Sequence, residues 1–80
     1  MTNTNLLKKK IEKSGLKIYF IAQKLGITYQ SLLNKINNKT EFVASEIEKL
    51  SALLHLTDED RKQIFFMSAQ QEGEQDETDR

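Results

Sequence analysis

The sequence predicts an all-α fold, a compact domain of five short helices. Apolar residues recur at the three- and four-residue spacing of an α-helix in five segments of the chain. No segment shows the strict alternation of a β-strand, and the sequence contains no proline. A chain of 80 residues is long enough for one modest hydrophobic core. We therefore predict one folded domain over residues 1–69 and a disordered acidic tail over residues 70–80, which offer no apolar side chain to bury.

The first two helices are each predicted to end at a glycine. The first should start at residue 4 or 5 and end at Ser14, with Leu7 and Ile11 on its inner face and Gly15 in the left-handed closing conformation. Gly26 should end the second helix in the same way, after about two turns. The inner face of that second helix consists of four residues at helical spacing: Ile18, Ile21, Ala22 and Leu25.

The third helix is predicted to begin after Thr28. The threonine hydroxyl can accept a hydrogen bond from the backbone N–H of Gln30 or Ser31, which is the usual way a helix start is capped. Leu32 and Ile36 lie four residues apart and should face the core.

A polar connection, NNKTEF, leads from the third helix to the last two. The apolar face of the fourth helix is predicted to consist of Ile47, Leu50, Leu53 and Leu54. The fifth helix should start at Thr57, with Asp60 in the capping-box position and acidic residues that complement the helix dipole. Its end is an apolar cluster of Phe65, Phe66 and Met67. Consecutive residues cannot all face the same way on a helix, so one of the three should point outward, where it is a candidate dimer contact.

The charge of the chain is unevenly distributed, although the net charge is zero. Residues 1–40 contain eight lysines and one glutamate, whereas residues 41–69 contain three basic and six acidic residues. The tail over residues 70–80 adds five acids and one arginine. A basic half of this kind is typical of a nucleic-acid-binding face, although a lysine-rich small domain can also be merely well solvated.

Nothing in the sequence indicates catalysis. The chain has no cysteine and one histidine, His55, so it lacks a thiolate site and the residues of a zinc site. We expect no enzymatic activity, no metal and no cofactor. The N-terminal residues lack the apolar run of a signal peptide, and no stretch reaches the length of about 18 apolar residues that spans a membrane. The sequence therefore predicts a cytoplasmic protein with no membrane partner.

The second and third helices together predict a helix-turn-helix. Ala22 is small enough for the third helix to cross closely over it, and Gly26 supplies the positive φ of the turn. The third helix would then present a base-reading set of Tyr29, Gln30, Leu33 and Asn34. Glutamine and asparagine can each bind adenine through two hydrogen bonds in the major groove. Candidate contacts to the DNA backbone surround this helix: Lys17, Lys24, Thr28, Lys35, Asn37, Asn38 and Lys39.

The segment IAQKLGITYQSLLNKINNKTEFVASEIEKL, followed by LTDEDRKQIFF, resembles the Cro/CI-type helix-turn-helix family. It is most similar to the small Cro-like regulators of temperate phages from low-GC Gram-positive hosts, over roughly residues 5–67. The resemblance implies a lambda-repressor-like domain of five helices whose third helix reads double-stranded operator DNA, often as a homodimer. It places Tyr29, Gln30 and Asn34 at base-reading positions, and Lys35 and Lys39 at backbone-contact positions.

The start of the second helix departs from that family. Members commonly have Ser or Thr followed by Gln where this chain has Lys17 and Ile18, and charged residues where it has Tyr19 and Phe20. Exposed aromatic residues suit a protein partner better than a phosphate. An alternative interpretation is therefore an antirepressor, or modulator of repression, that binds the CI-type phage repressor directly through Ile18, Tyr19, Phe20, Tyr29 and Leu33. Tyr19 and Phe20 would lose this role if they packed into the core, and an antitoxin or assembly module remains a third interpretation.

Overall fold

A computed structural model of the protein describes residues 1–66. These residues form five helices and no strand, which confirms the predicted all-α fold within this range. The helices are α1 (Thr4–Ser14), α2 (Ile18–Leu25), α3 (Tyr29–Ile36), α4 (Ala44–Leu53) and α5 (Asp58–Arg61), and α5 continues as a π-helical turn over Lys62–Phe66. The predicted boundary at residue 69, the tail over residues 70–80 and Met67 lie outside the described residues.

The predicted helix ends are confirmed by their capping hydrogen bonds. Gly15 and Gly26 both have a φ of 76°, the left-handed conformation that a side chain would disfavour. The hydroxyl of Thr28 accepts from the Ser31 N–H at 3.0 Å. At the start of α5, the Asp60 N–H donates to the Thr57 hydroxyl and the Asp60 carboxylate accepts from the Thr57 N–H, so both bonds of the predicted capping box are present.

The start of α4 is capped from inside the helix, since the side chain of Val43 cannot accept a hydrogen bond. The carboxylate of Glu46 accepts from the Val43 N–H at 3.0 Å. This arrangement draws the Glu46 side chain toward the protein interior, where it is buried.

One hydrophobic core joins the first four helices to the π-helical turn that follows α5. The predicted inner residues of α1, α2 and α3 lie in it, except that Ile18 is half-buried at its edge. On α4, Leu50 and Leu54 are buried, whereas Ile47 and Leu53 pack against the core from its margin. The complete set of buried apolar residues is Leu7, Ile11, Ile21, Ala22, Leu25, Leu32, Ile36, Phe42, Leu50, Leu54, Ile64 and Phe65.

The connection between α3 and α4 contributes one buried aromatic side chain to the core, although most of its residues are polar. Phe42 lies in the predicted connection NNKTEF, but its side chain is buried and meets Phe65 edge-to-face with ring centroids 5.6 Å apart. Phe65 thus completes the core from the π-helical turn, while the neighbouring Phe66 is exposed, as expected for consecutive residues on a helix. The end of the connection is therefore fixed to the last helix by a pair of aromatic rings.

Candidate functional site

The turn between α2 and α3 is closed by two backbone hydrogen bonds. The Gly26 N–H donates to the Gln23 carbonyl and the Ile27 N–H donates to the Ala22 carbonyl, each at 3.1 Å. This is the Schellman pattern, which requires the left-handed residue that Gly26 provides. Ala22 is almost completely buried beneath the turn, as predicted for a position where two helices pack closely. The start of α3 is therefore held in a defined place relative to α2.

The predicted base-reading residues lie on or beside the outer face of α3. The side-chain amide of Gln30 donates to the Asn34 side-chain oxygen at 3.1 Å, so these two residues do face the same way. Gln30 and Tyr29 are exposed, and Asn34 is half-buried. Leu33 is also half-buried and lies at the rim of a groove on the side of α3. Gln30 and Asn34 can together offer amide donors and acceptors to a planar polar edge such as that of a base.

Four of the predicted backbone-contact residues are free to meet a phosphate. Lys17, Lys39 and Asn37 are exposed, and they lie before α2 and after α3. Lys24 is also exposed, but its ammonium lies 5.4 Å from the centre of the Phe20 ring, a cation–π distance. The hydroxyl of Thr28 is used as an acceptor for capping α3 and retains its proton as a donor.

Lys35, predicted as a contact to the DNA backbone, makes its polar contacts within the protein. Its ammonium lies 2.8 Å from a carboxylate oxygen of Glu46 and 3.2 Å from the Glu41 carbonyl. The exposed fractions of the Lys35 and Glu46 side chains are 12% and 11%. Burial by itself raises the pKa of Glu46, but hydrogen bonds from Lys35 and from the Val43 N–H hold that pKa below its ordinary value. Lys35 therefore ties α3 to α4.

Asn38, also predicted as a contact to the DNA backbone, makes its side-chain hydrogen bonds within the protein too. Its side-chain oxygen accepts from the Thr2 N–H at 2.8 Å, and its side-chain nitrogen donates to the Thr2 carbonyl at 2.6 Å. The same nitrogen lies 3.1 Å from the Thr4 hydroxyl. Both hydrogens of the Asn38 side-chain amide are therefore used within the protein.

The aromatic residues predicted as a protein-binding patch are exposed and do not pack as core. The exposed fractions are 68% for Tyr19, 50% for Tyr29 and 37% for Phe20. Tyr19 and Tyr29 flank a pocket of about 210 Å³ whose lining includes Ala22 and Ile27. The other two members of the predicted patch, Ile18 and Leu33, line a separate groove of about 300 Å³. The predicted patch is thus divided between two concave features of the surface.

A family model describes the chain over residues 2–68, and its description is Protein of unknown function (DUF739). The chain belongs to the DUF739 family. No curated protein and no solved structure matches the chain.

One residue beside the site of the DUF739 protein was missed by the sequence interpretation. Lys8 of α1 lines the same groove as Leu33 and Asn37 of the α3 region, and its side chain is exposed. Ile11 lies three residues after Lys8, lines the same groove and is buried in the core. Residues three apart are neighbours on a helix surface, so Lys8 lies beside Ile11 at the edge of the core. The spacing within α1 was visible in the sequence, but the packing of α1 beside α3 was not.

Residues 1–66 of this DUF739 protein meet the requirements of neither a metal site nor a membrane-spanning helix. Within residues 1–66 there is no group of three His, Cys, Asp or Glu residues that could hold a metal ion. None of the helices in this range is long and apolar enough to cross a bilayer.

Proposed function

We propose that this DUF739 protein is a sequence-specific DNA-binding transcription regulator. It acts as a Cro-like repressor in a phage genetic switch and places α3 in the major groove. The observation that carries the proposal is the pair of Gln30 and Asn34 side chains, 3.1 Å apart on the outer side of a helix whose start is fixed by a glycine turn. An exposed amide pair of this kind matches the donor and acceptor pattern of adenine.

The distribution of positive charge supports the same function. Residues 1–40 carry a net charge of +7, and the exposed lysines Lys8, Lys17, Lys24 and Lys39 belong to this half. Lys35 is paired with Glu46 and contributes little to the outer field. Phosphate contacts from such lysines release counterions, so binding to DNA should weaken steeply as the salt concentration rises.

The proposed partner is double-stranded operator DNA in the cytoplasm. A two-fold operator site usually binds a two-fold protein, which favours a homodimer. Phe66 is exposed beside the buried Phe65 and is the apolar side chain at the end of the described chain that suits such a contact.

The proposal is tested by titrating the protein against labelled DNA from its own control region. We expect saturable binding that Gln30→Ala and Asn34→Ala each weaken by about 1 to 3 kcal/mol at particular base pairs, because each substitution removes one amide from the groove. Gln63→Ala is the matched control, since Gln63 also makes an exposed hydrogen bond to a residue four positions away, Glu59, but lies on the last helix. Equal effects of all three substitutions, or binding without any site preference, would contradict base reading by α3.

A second function is favoured by the aromatic surface. Tyr19 is the most exposed of the large apolar or aromatic side chains in residues 1–66, and with Tyr29 it flanks a pocket whose lining includes Ala22 and Ile27. Tyrosine is enriched at protein interfaces, and pockets between such residues receive partner side chains. The corresponding function is an antirepressor that binds a CI-type phage repressor and alters the DNA binding of that repressor.

The two functions are separated by adding the neighbouring repressor to the same DNA titration. If the protein is an antirepressor, it should change the repressor–DNA shift, and Tyr19→Ala or Tyr29→Ala should abolish this change, typically at a cost above about 2 kcal/mol for a central interface residue. Val43→Ala is the control, because Val43 is an exposed apolar residue at the start of α4. A repressor shift that the wild-type protein leaves unchanged would eliminate this second function.

A further inference from the structure

The segment before α1 is held firmly against the body of the domain. The exposed fraction of Thr2 is 6%, a low value for a polar residue outside any helix. Both backbone polar groups of Thr2 bond to one side chain, because the Thr2 N–H donates to the Asn38 oxygen and the Asn38 nitrogen donates to the Thr2 carbonyl. An asparagine amide can satisfy a backbone N–H and C=O together in this way, whereas a carboxylate cannot donate the second bond.

Asn38 also closes α3. Its φ is 65°, the left-handed conformation, which asparagine tolerates better than most residues. The Asn38 N–H donates to the Lys35 carbonyl at 3.2 Å, and the Lys39 N–H donates to the Asn34 carbonyl at 2.8 Å. These two bonds repeat the pattern at Gly26, so the backbone of Asn38 ends the helix while its side chain holds Thr2.

Two more hydrogen bonds extend this connection across the domain. The Thr4 hydroxyl donates to the Ile36 carbonyl at 2.6 Å, which is a second bond from the N-terminal segment to the last turn of α3. The Asn3 N–H donates to the Ile64 carbonyl at 2.7 Å, which attaches the same segment to the π-helical turn. The C-terminal end of α3 is therefore linked through residues 2–4 to the last helix of the described chain.

Polar side chains attach α3 to the rest of the protein mainly at its C-terminal end. Lys35 reaches α4 through Glu46, and the Ile36 carbonyl and Asn38 reach the N-terminal segment. The Gln30 side chain in the N-terminal half is exposed and bonds to Asn34 of the same helix. The start of α3 is held by the Gly26 turn and its far end by these polar contacts, so the direction in which Gln30 points depends on both.

We infer that Asn38 is a positioning residue for α3, which fixes the orientation of the Gln30 and Asn34 side chains by holding the C-terminal end of the helix to Thr2. This inference rests on the proposed function, since it assigns Asn38 a part in the use of the α3 surface. Asn38 itself does not touch the DNA. It acts through the helix, and its role replaces the phosphate contact that the sequence had predicted there.

Two substitutions of Asn38 separate positioning from simple helix capping. Asn38→Gly keeps the left-handed conformation and the backbone bonds of the cap, and removes both bonds to Thr2. If Asn38 served only as a cap, glycine would replace it without loss. Asn38→Asp keeps the acceptor for the Thr2 N–H but places a carboxylate oxygen against the Thr2 carbonyl, so it should disturb the connection to Thr2 at least as much as glycine does.

The experiment compares full-length wild type, Asn38→Gly, Asn38→Asp and Thr57→Ala by residual dipolar couplings, amide hydrogen exchange and DNA titration. Thr57→Ala is the control for lost stability, because it removes the cap of α5 and none of the hydrogen bonds made by Thr2 or Asn38. In Asn38→Gly we expect the Thr2 amide to exchange at least about tenfold faster. We also expect the couplings of α3 to report a changed orientation, and the preference for the cognate site to fall roughly 3- to 30-fold.

The experiment can contradict the positioning role of Asn38 and the proposed DNA-binding function independently of each other. Unchanged α3 couplings in Asn38→Gly, or changed couplings with an unchanged site preference, would overturn the positioning role. If the wild-type protein shows no DNA site preference, the proposed DNA-binding function fails, and the couplings still decide whether Asn38 orients α3. Equal changes in Thr57→Ala would show that reduced stability alone explains the effect.

Discussion

The free energy of unfolding of a Lys35→Ala variant is expected to fall by roughly 3 to 5 kcal/mol. Lys35 and Glu46 form a 2.8 Å ion pair in which about nine-tenths of each side chain is buried. Removing the ammonium leaves the Glu46 carboxylate buried beside the Val43 N–H without its ion-pair partner. A buried charge without its partner is far more costly than the net gain from forming the pair, so the single substitution should be severe. Urea denaturation at neutral pH measures the change directly.

Two control variants show whether the buried charge is the cause. In the double variant Lys35→Met with Glu46→Gln, both charges are absent and the glutamine can still accept from the Val43 N–H, so most of the lost stability should return. Lys39→Ala removes an exposed lysine from the same region and should change the free energy of unfolding by less than about 0.5 kcal/mol. A Lys35→Ala variant that unfolds like Lys39→Ala would contradict the assignment of Lys35 to the interior.

The same ion pair should be visible in the dependence of stability on pH. Burial raises the pKa of Glu46, while the hydrogen bonds from Lys35 and Val43 and the nearby charge of Lys49 lower it to a value below the ordinary one. Because the folded protein has the lower pKa, the contribution is fully present above the unfolded pKa of about 4.3 and is lost as the pH falls through the folded value. In Lys35→Ala the main lowering cause is gone, so acidification over this range should remove less stability than in wild type. Asp60 also has a lowered pKa, with the Thr57 backbone N–H as its main cause, but it should titrate alike in both proteins.

The helices and the core could be predicted from the sequence because their causes are local. A cap such as Thr28 or a left-handed glycine such as Gly26 depends on residues within one turn of the chain. The inner faces of the helices follow from apolar spacing, since four-residue separation places two side chains on the same side. For this reason Leu32 and Ile36 were correctly placed inside the domain before any tertiary contact was known.

The interior polar contacts could not be predicted because their partners are distant in the sequence. Lys35 and Asn38 both occupy positions where an exposed lysine or asparagine would suit a phosphate. Their partners Glu46 and Thr2 are 11 and 36 residues away, and nothing in the local sequence indicates that these side chains meet. Phe42 was likewise placed in a polar connection because its neighbours are polar, whereas its partner Phe65 comes from the last helix. In each case a tertiary neighbour changed the environment of a residue whose local context indicated the surface.

The exposed lysines Lys17 and Lys39 are expected to contribute to DNA binding through phosphate contacts. A double variant of Lys17→Gln and Lys39→Gln is expected to reduce the salt slope of binding by about 2, since each lysine that contacts a phosphate contributes roughly 1. At 0.1 M salt the affinity should fall roughly fivefold to tenfold for each lysine. The loss should be similar for cognate and mutated sites, because phosphate contacts carry no sequence information.

The matched control is the double variant Lys49→Gln and Lys62→Gln. Lys49 and Lys62 are also exposed, but they belong to α4 and to the π-helical turn, so this variant changes the net charge equally and removes no lysine from the start of α2 or the end of α3. Lys24 is excluded from both variants, because its ammonium lies over the Phe20 ring and its removal would also alter the aromatic surface. Equal salt slopes in the two double variants would mean that net charge alone drives association and that Lys17 and Lys39 make no defined phosphate contacts. A smaller slope in the first variant only would place the DNA backbone beside the start of α2 and the end of α3, the two positions that flank the paired amides of Gln30 and Asn34.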